Sequence, residues 1–119
     1  MKMIDMEKLN SEIEKIVNER EWDQFHSIKN LTMALNVEAC ELLEIFQWMS
    51  EKDSNLVGEN PKLREKLEDE VADIFVYLLR IISKTNIDLE QVVLNKLKKN
   101  VKKYPVEFAK GNSKKYDEF

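Results

Sequence analysis

Three observations predict an all-α fold. The 119 residues include only two glycines and two prolines, and Gly58, Pro61, Pro105 and Gly111 all fall between or after stretches with apolar residues at helical spacing. Charged residues make up 35% of the chain and Glu, Lys and Leu dominate, the composition of amphipathic helices with solvated outer faces. No segment reads convincingly as a strand. A chain of this length forms one domain with a modest core.

Four helices are expected in order. The first covers about residues 5 to 20, with Met6, Leu9, Ile13, Ile16 and Val17 as its stripe. An aromatic-rich connection, Glu21-Trp22-Asp23-Gln24-Phe25-His26, leads to Ser27, an N-cap for a second helix over about 28 to 50. Residues 51 to 59 are polar and read as a loop. Asn60-Pro61 is a start signal, because Asn caps well and Pro is tolerated at the first helical position; the third helix runs to about Ser83. Asp88 followed by Gln91 resembles a capping box and opens a fourth helix with the stripe Leu89, Val92, Val93, Leu97, Asn100 and Val101, which Tyr104-Pro105 ends.

The two central helices carry acids where leucines are expected. On one, Leu31, Leu35, Leu42, Ile45 and Met49 form a seam completed by Glu38; on the other, Leu63, Leu67, Ile74, Tyr77 and Ile81 form a seam completed by Glu70. Residues three apart are neighbours on a helix surface, so Glu41 stands beside Glu38 and Asp73 beside Glu70. Packed seam to seam, the helices bring four negative charges into one partly dry volume, where they cannot all stay ionised without compensation. A divalent cation supplies it, and Mg2+ suits an all-oxygen site that substrate phosphates complete. A di-iron site would want Glu-x-x-His, and zinc would want His or Cys; the chain has one histidine, His26, and one cysteine, Cys40. Single Glu-x-x-Glu pairs such as Glu41 with Glu44 carry no such weight, since 23 acids in 119 residues produce several by chance.

The remaining composition narrows the functional classes. A net charge of -4 gives no global attraction for nucleic acid or an anionic membrane, although Lys96, Lys98, Lys99, Lys102, Lys103, Lys110, Lys114 and Lys115 make the last quarter basic. One cysteine excludes an internal disulfide and fits a reducing compartment; Cys40 reads as a small core residue. No apolar run approaches the roughly 20 residues of a membrane span and no signal peptide is visible, so the expected location is cytoplasmic.

With these motifs in hand, the chain resembles the MazG-like all-α nucleotide pyrophosphohydrolases, and within them the dCTP-pyrophosphatase branch. The resemblance rests on Trp22-Asp23-Gln24-Phe25-His26, Lys29-Asn30-Leu31, Glu38-x-x-Glu41-Leu42-x-Glu44-x-Phe46-Gln47-Trp48, Glu70-x-x-Asp73-x-x-x-Tyr77-Leu78, and Lys96-x-x-x-Asn100 with Tyr104-Pro105, and spans roughly residues 5 to 110. It implies a MazG-like four-helix bundle over residues 1–105, assembled as a homodimer or homotetramer, with 106–119 as a C-terminal tail that Phe108, Tyr116 or Phe119 would dock. It also implies Mg2+-dependent hydrolysis of a nucleoside triphosphate between the α and β phosphates, giving a monophosphate and pyrophosphate. Glu38, Glu41, Glu70 and Asp73 would be the metal ligands and catalytic acids, with the general base unassigned among them. By the same resemblance Trp22, His26, Trp48 and Tyr77 would contact the base, Lys96 would neutralise phosphate charge, and Asn100 would hydrogen-bond the sugar or phosphates. Two departures bear on specificity: Lys29 stands where the branch commonly has Arg, and the segment before Trp22 lacks a second histidine that some members have. The residues alone also fit a non-catalytic helical oligomerisation module whose acids pair with lysines across an interface.

Overall fold

A computed structural model describes residues 1–119. Six α-helices and no strand make up the chain: α1 (Met6–Glu19), α2 (Ile28–Phe46), α3 (Glu51–Ser54), α4 (Pro61–Thr85), α5 (Leu89–Lys103) and α6 (Val106–Ala109). The four long helices are those expected, and α3 and α6 are single turns added to them. Residues Met1–Thr85 form one compact unit and Asn86–Phe119 another.

In the first unit α2 packs along α4, its most extensive helix–helix contact, and α1 packs on α4 to a lesser degree. Local chemistry sets each start. Asp5 caps α1 by accepting from the Lys8 amide at 3.0 Å, Ser27 caps α2 through the Asn30 amide at 3.1 Å, and Asn60 Oδ1 accepts from the amides of Lys62 and Leu63 ahead of α4. Between α1 and α2 the chain turns at Glu21, which has φ 54, and then through a 3-10 turn at Asp23–Phe25. The expected α2–α4 seams are real: Leu31 is 1% exposed, and the other seam positions are partly buried, Glu38 and Glu70 included. Leu31 shares the core with Val17, Leu79 and Ile82.

Three expectations need correction. The second helix ends at Phe46 rather than near residue 50, because Ser50 adopts an extended conformation and its hydroxyl caps α3 by accepting from the Asp53 amide. Residues 51–59 are therefore not an irregular loop; they hold α3 and a 3-10 turn at Val57–Glu59. Cys40 is exposed rather than part of the core. It lies two residues from Glu38, a rotation of about 200° that turns it away from the seam.

In the second unit Asp88 caps α5 by accepting from the Gln91 amide at 3.2 Å. The box is only half formed, since the Gln91 side chain donates to Asn95 instead. The expected tail folds back as an aromatic cluster: Tyr104 meets Tyr116 and Phe119 edge-on at centroid distances of 6.2 and 5.7 Å, and Phe108 stacks on Phe119 at 6.0 Å. Lys103 Nζ sits 4.8 Å from the centre of the Tyr116 ring. Within this unit Val92, Val93, Leu97 and Val101 of the α5 stripe stay exposed. No helix of the chain is long and apolar enough to cross a membrane.

Candidate active site

The carboxylates of Glu38, Glu41 and Glu70 converge between α2 and α4, each offering an oxygen within 4.8 Å of the others. The i, i+3 spacing places Glu41 one turn beyond Glu38, and the α2–α4 seam delivers Glu70 from the opposite helix. One oxygen each of Glu38 and Glu70 is buried and has no hydrogen-bond partner. No lysine or arginine forms an ion pair with any of the four acids. The expense of this arrangement shows in Glu38, whose carboxyl is pushed up to about 7: the adjacent Glu70 carboxylate favours a shared proton, burial disfavours the charge, and Glu41 and then Asp73 add to the effect. Two orphaned buried oxygens in an all-carboxylate set fit a hard divalent cation, which would satisfy both lone pairs and charge.

An open cleft of about 510 Å³ lies against this cluster, lined by Glu41, Glu44, Ile45, Leu63, Lys66, Asp69 and Glu70. Four acids to one lysine make its wall strongly negative. A phosphate chain meets repulsion there unless cations intervene.

Asp73 is exposed and lies outside the close trio. It lines instead a smaller cavity of about 160 Å³, shared with Ile13, Ile16, Val17, Trp22, His26, Val76, Tyr77 and Arg80. Three of the four aromatic positions singled out from sequence, Trp22, His26 and Tyr77, thus meet in one mostly apolar pocket with a few polar groups, the ordinary makeup of a small-molecule site. Burial, with the nearby Glu38 and Asp73 charges, raises the Tyr77 hydroxyl above its usual value. His26 is pushed down, first by burial and then by the positive charges of Arg80 and Lys84, against an upward pull from Asp23; its Nδ1 is buried without a partner. The imidazole is therefore neutral at physiological pH.

The fourth aromatic, Trp48, is 90% exposed just beyond α2 and lines neither cavity. Lys96 and Asn100 lie one turn apart on α5, within the second unit. The charged cavity residue missed from sequence is Arg80, 5% exposed, which donates from Nη2 to Asp23 Oδ1 at 3.0 Å. Its signal was available, a lone cation in Leu78-Leu79-Arg80-Ile81-Ile82.

Comparison with known proteins places the chain in a family. The profile of the MazG-like family matches residues 33–119, which include all four acids. The chain belongs to the MazG-like family. Among curated relatives of this MazG-like protein, mouse dCTP pyrophosphatase 1 is 37% identical over 112 residues, covering 94% of the chain, and human dCTP pyrophosphatase 1 is 36% identical over 114 residues, covering 96%. The chain spans 64% and 65% of the lengths of those two proteins. Among solved structures, a pyrophosphatase from Archaeoglobus fulgidus superposes with a TM-score of 0.76 at 32% identity, covering 88% of this chain and 96% of that one.

Proposed function

We propose that this MazG-like protein is a Mg2+-dependent nucleoside triphosphate pyrophosphohydrolase. It opens the anhydride between the α and β phosphates of a nucleoside or deoxynucleoside triphosphate, releasing the monophosphate and pyrophosphate, and so clears excess or non-standard nucleotides. A pyrimidine such as dCTP is the favoured substrate class, on the strength of the relatives and of the Trp22, His26 and Tyr77 cavity. The observation that carries the reading is the trio Glu38, Glu41 and Glu70 with its two buried, unpartnered oxygens.

In this reading Glu38, Glu41 and Glu70 hold the metal, with Asp73 completing the set from the next turn of α4. Magnesium, when bound, supplies positive charge to the phosphate oxygens and acidity to water. The chain's own residues do the rest. Trp22 and Tyr77 present aromatic surface to a base, and the neutral His26 offers a hydrogen-bonding ring edge. The family resemblance adds Trp48, Lys96 and Asn100 as further substrate-binding residues, Lys96 through phosphate charge and Asn100 through hydrogen bonds. A carboxylate oxygen of the acidic set not engaged with metal acts as general base.

The assembly proposed with this function is a homodimer or homotetramer. Only four apolar side chains are buried, while Val92, Val93, Leu97 and Val101 on α5 remain exposed. An apolar groove of about 670 Å³ between α1 and α4, lined by Ile4, Leu9, Ile16, Leu67, Val71 and Phe75 among others, also stays open. Surface of this kind is ordinarily covered by a second copy.

The test is a panel of standard and modified nucleoside triphosphates with magnesium, scored separately for pyrophosphate and phosphate. Pyrophosphate from pyrimidine triphosphates is the expected product. Phosphate alone would assign a different hydrolase, and no product would favour the oligomerisation module.

A further inference from the structure

Glu70, Asp73, Tyr77, Arg80 and Lys84 follow one another on α4 at steps of three and four residues, forming a single stripe. One end of the stripe belongs to the acidic cluster. The other end grips the segment before α2: Arg80 Nη2 and Lys84 Nζ both reach Asp23 Oδ1, at 3.0 and 2.9 Å. Burying a guanidinium is costly without a partner, and this one is held by an acid 57 residues away in sequence. Asp23 begins the 3-10 turn between Trp22 and His26, and its carbonyl accepts from the His26 amide at 3.0 Å. The gripped residue thus lies in sequence between Trp22 and His26, two of the three aromatic residues that line the cavity. Arg80 and His26 line the same cavity, and Arg80 Nε and His26 Nδ1 are both buried and unpartnered.

We infer that Arg80 is a positioning residue: through Asp23, and with Lys84, it fixes Trp22 and His26 relative to the Glu70 and Asp73 carboxylates carried by the same helix. A helix rises 1.5 Å per residue, so Glu70 and Arg80 stand about 15 Å apart along a rigid axis. That axis sets the spacing between the aromatic cavity and the acidic cluster, the two ends of the nucleotide in the function proposed above. The inference rests on that function for its ligand. Were Arg80 merely a stabilising anchor, loosening it would weaken every ligand alike; as a spacer it acts only on ligands that reach both ends.

Asp23→Asn tests this, since Asp23 is exposed and the substitution preserves its shape. With magnesium, KM for dCTP should rise about tenfold, the scale of one lost charge-assisted hydrogen bond, with kcat nearly unchanged. Inhibition by inorganic tripolyphosphate, which has no base, should not change. Arg80→Lys should recover much of the KM lost in Arg80→Met. Nuclear Overhauser contacts between the rings of His26, the only histidine, and Tyr77 should weaken in Asp23→Asn. An unaltered KM would overturn the inference, as would parallel losses of dCTP and tripolyphosphate affinity. If the unsubstituted protein handles no nucleotide, the proposed function fails by itself. The ring contacts then judge the clamp alone, and their persistence in Asp23→Asn would overturn it.

Discussion

Glu38 and Glu70 meet across the α2–α4 seam with one buried, unpartnered oxygen each, and neither forms an ion pair with a cation of the chain. Folding alone leaves these two oxygens unsatisfied, the gap that the proposed magnesium would fill. Millimolar magnesium should therefore raise the melting temperature, by about 2.7 kcal/mol of stability at a hundredfold excess over Kd. Glu70→Gln should remove that shift and lower pyrophosphate release by about two to three orders of magnitude while the helical circular dichroism persists. A salt-bridged structural cluster would respond to sodium chloride as strongly as to magnesium.

The raised carboxyl of Glu38 predicts an apo protein that weakens as pH rises. Its folded value of about 7 lies above the ordinary 4.5, so the folded state holds the proton after the unfolded chain has released it. The stabilisation is complete below about 4.5 and is lost as pH climbs through about 7. Magnesium must displace that proton, so metal affinity should increase over the same range. Calorimetric titrations in buffers of different ionisation enthalpy should show proton release near pH 6. Glu38→Gln should flatten the apo stability profile and abolish the metal-linked proton release.

The acids were legible because a charge inside an apolar seam is conspicuous in one dimension. Helical spacing brought Glu41 beside Glu38, and the shared seam brought Glu70 to both. Asp23 with Arg80 was not legible in the same way. Arg80 stands out within its apolar run, but its partner lies 57 residues off, and periodicity carries no information about which distant segment supplies it. Similarly, the α5 periodicity identifies an apolar face without saying what covers it, and Val101 on that face remains 71% exposed. The early end of α2 was hidden because Ser50 serves equally as a loop residue and as the cap of a new helix.

His26 predicts the opposite pH dependence from Glu38. Its imidazole titrates below the ordinary 6.5, mainly through burial and then through Arg80 and Lys84, so the unfolded chain binds a proton that the folded one refuses. The stability from this group is complete above the ordinary 6.5 and is lost as pH falls from there through the lower value of the folded state. Because His26 is the only histidine, its ring resonances are unambiguous and should show a midpoint below 6.5. A midpoint at or above the ordinary value would show that the ring is solvated rather than enclosed.

Leu31 predicts how narrowly the first unit is stabilised. It is the most completely enclosed large side chain and shares its core with only Val17, Leu79 and Ile82. Leu31→Ala should cost about 3 kcal/mol from lost transfer energy and the cavity left behind. That is a large share of the roughly 5 to 15 kcal/mol that stabilises a typical domain, and for a chain of this size it should lower the melting temperature by more than about 10 °C. Leu43→Ala, at an exposed position on the same helix, should change it little in a monomer. If Leu43→Ala costs as much as Leu31→Ala, the outer face of α2 is itself buried in solution. Melting curves at several protein concentrations would confirm it, because only an intersubunit contact makes the midpoint depend on concentration.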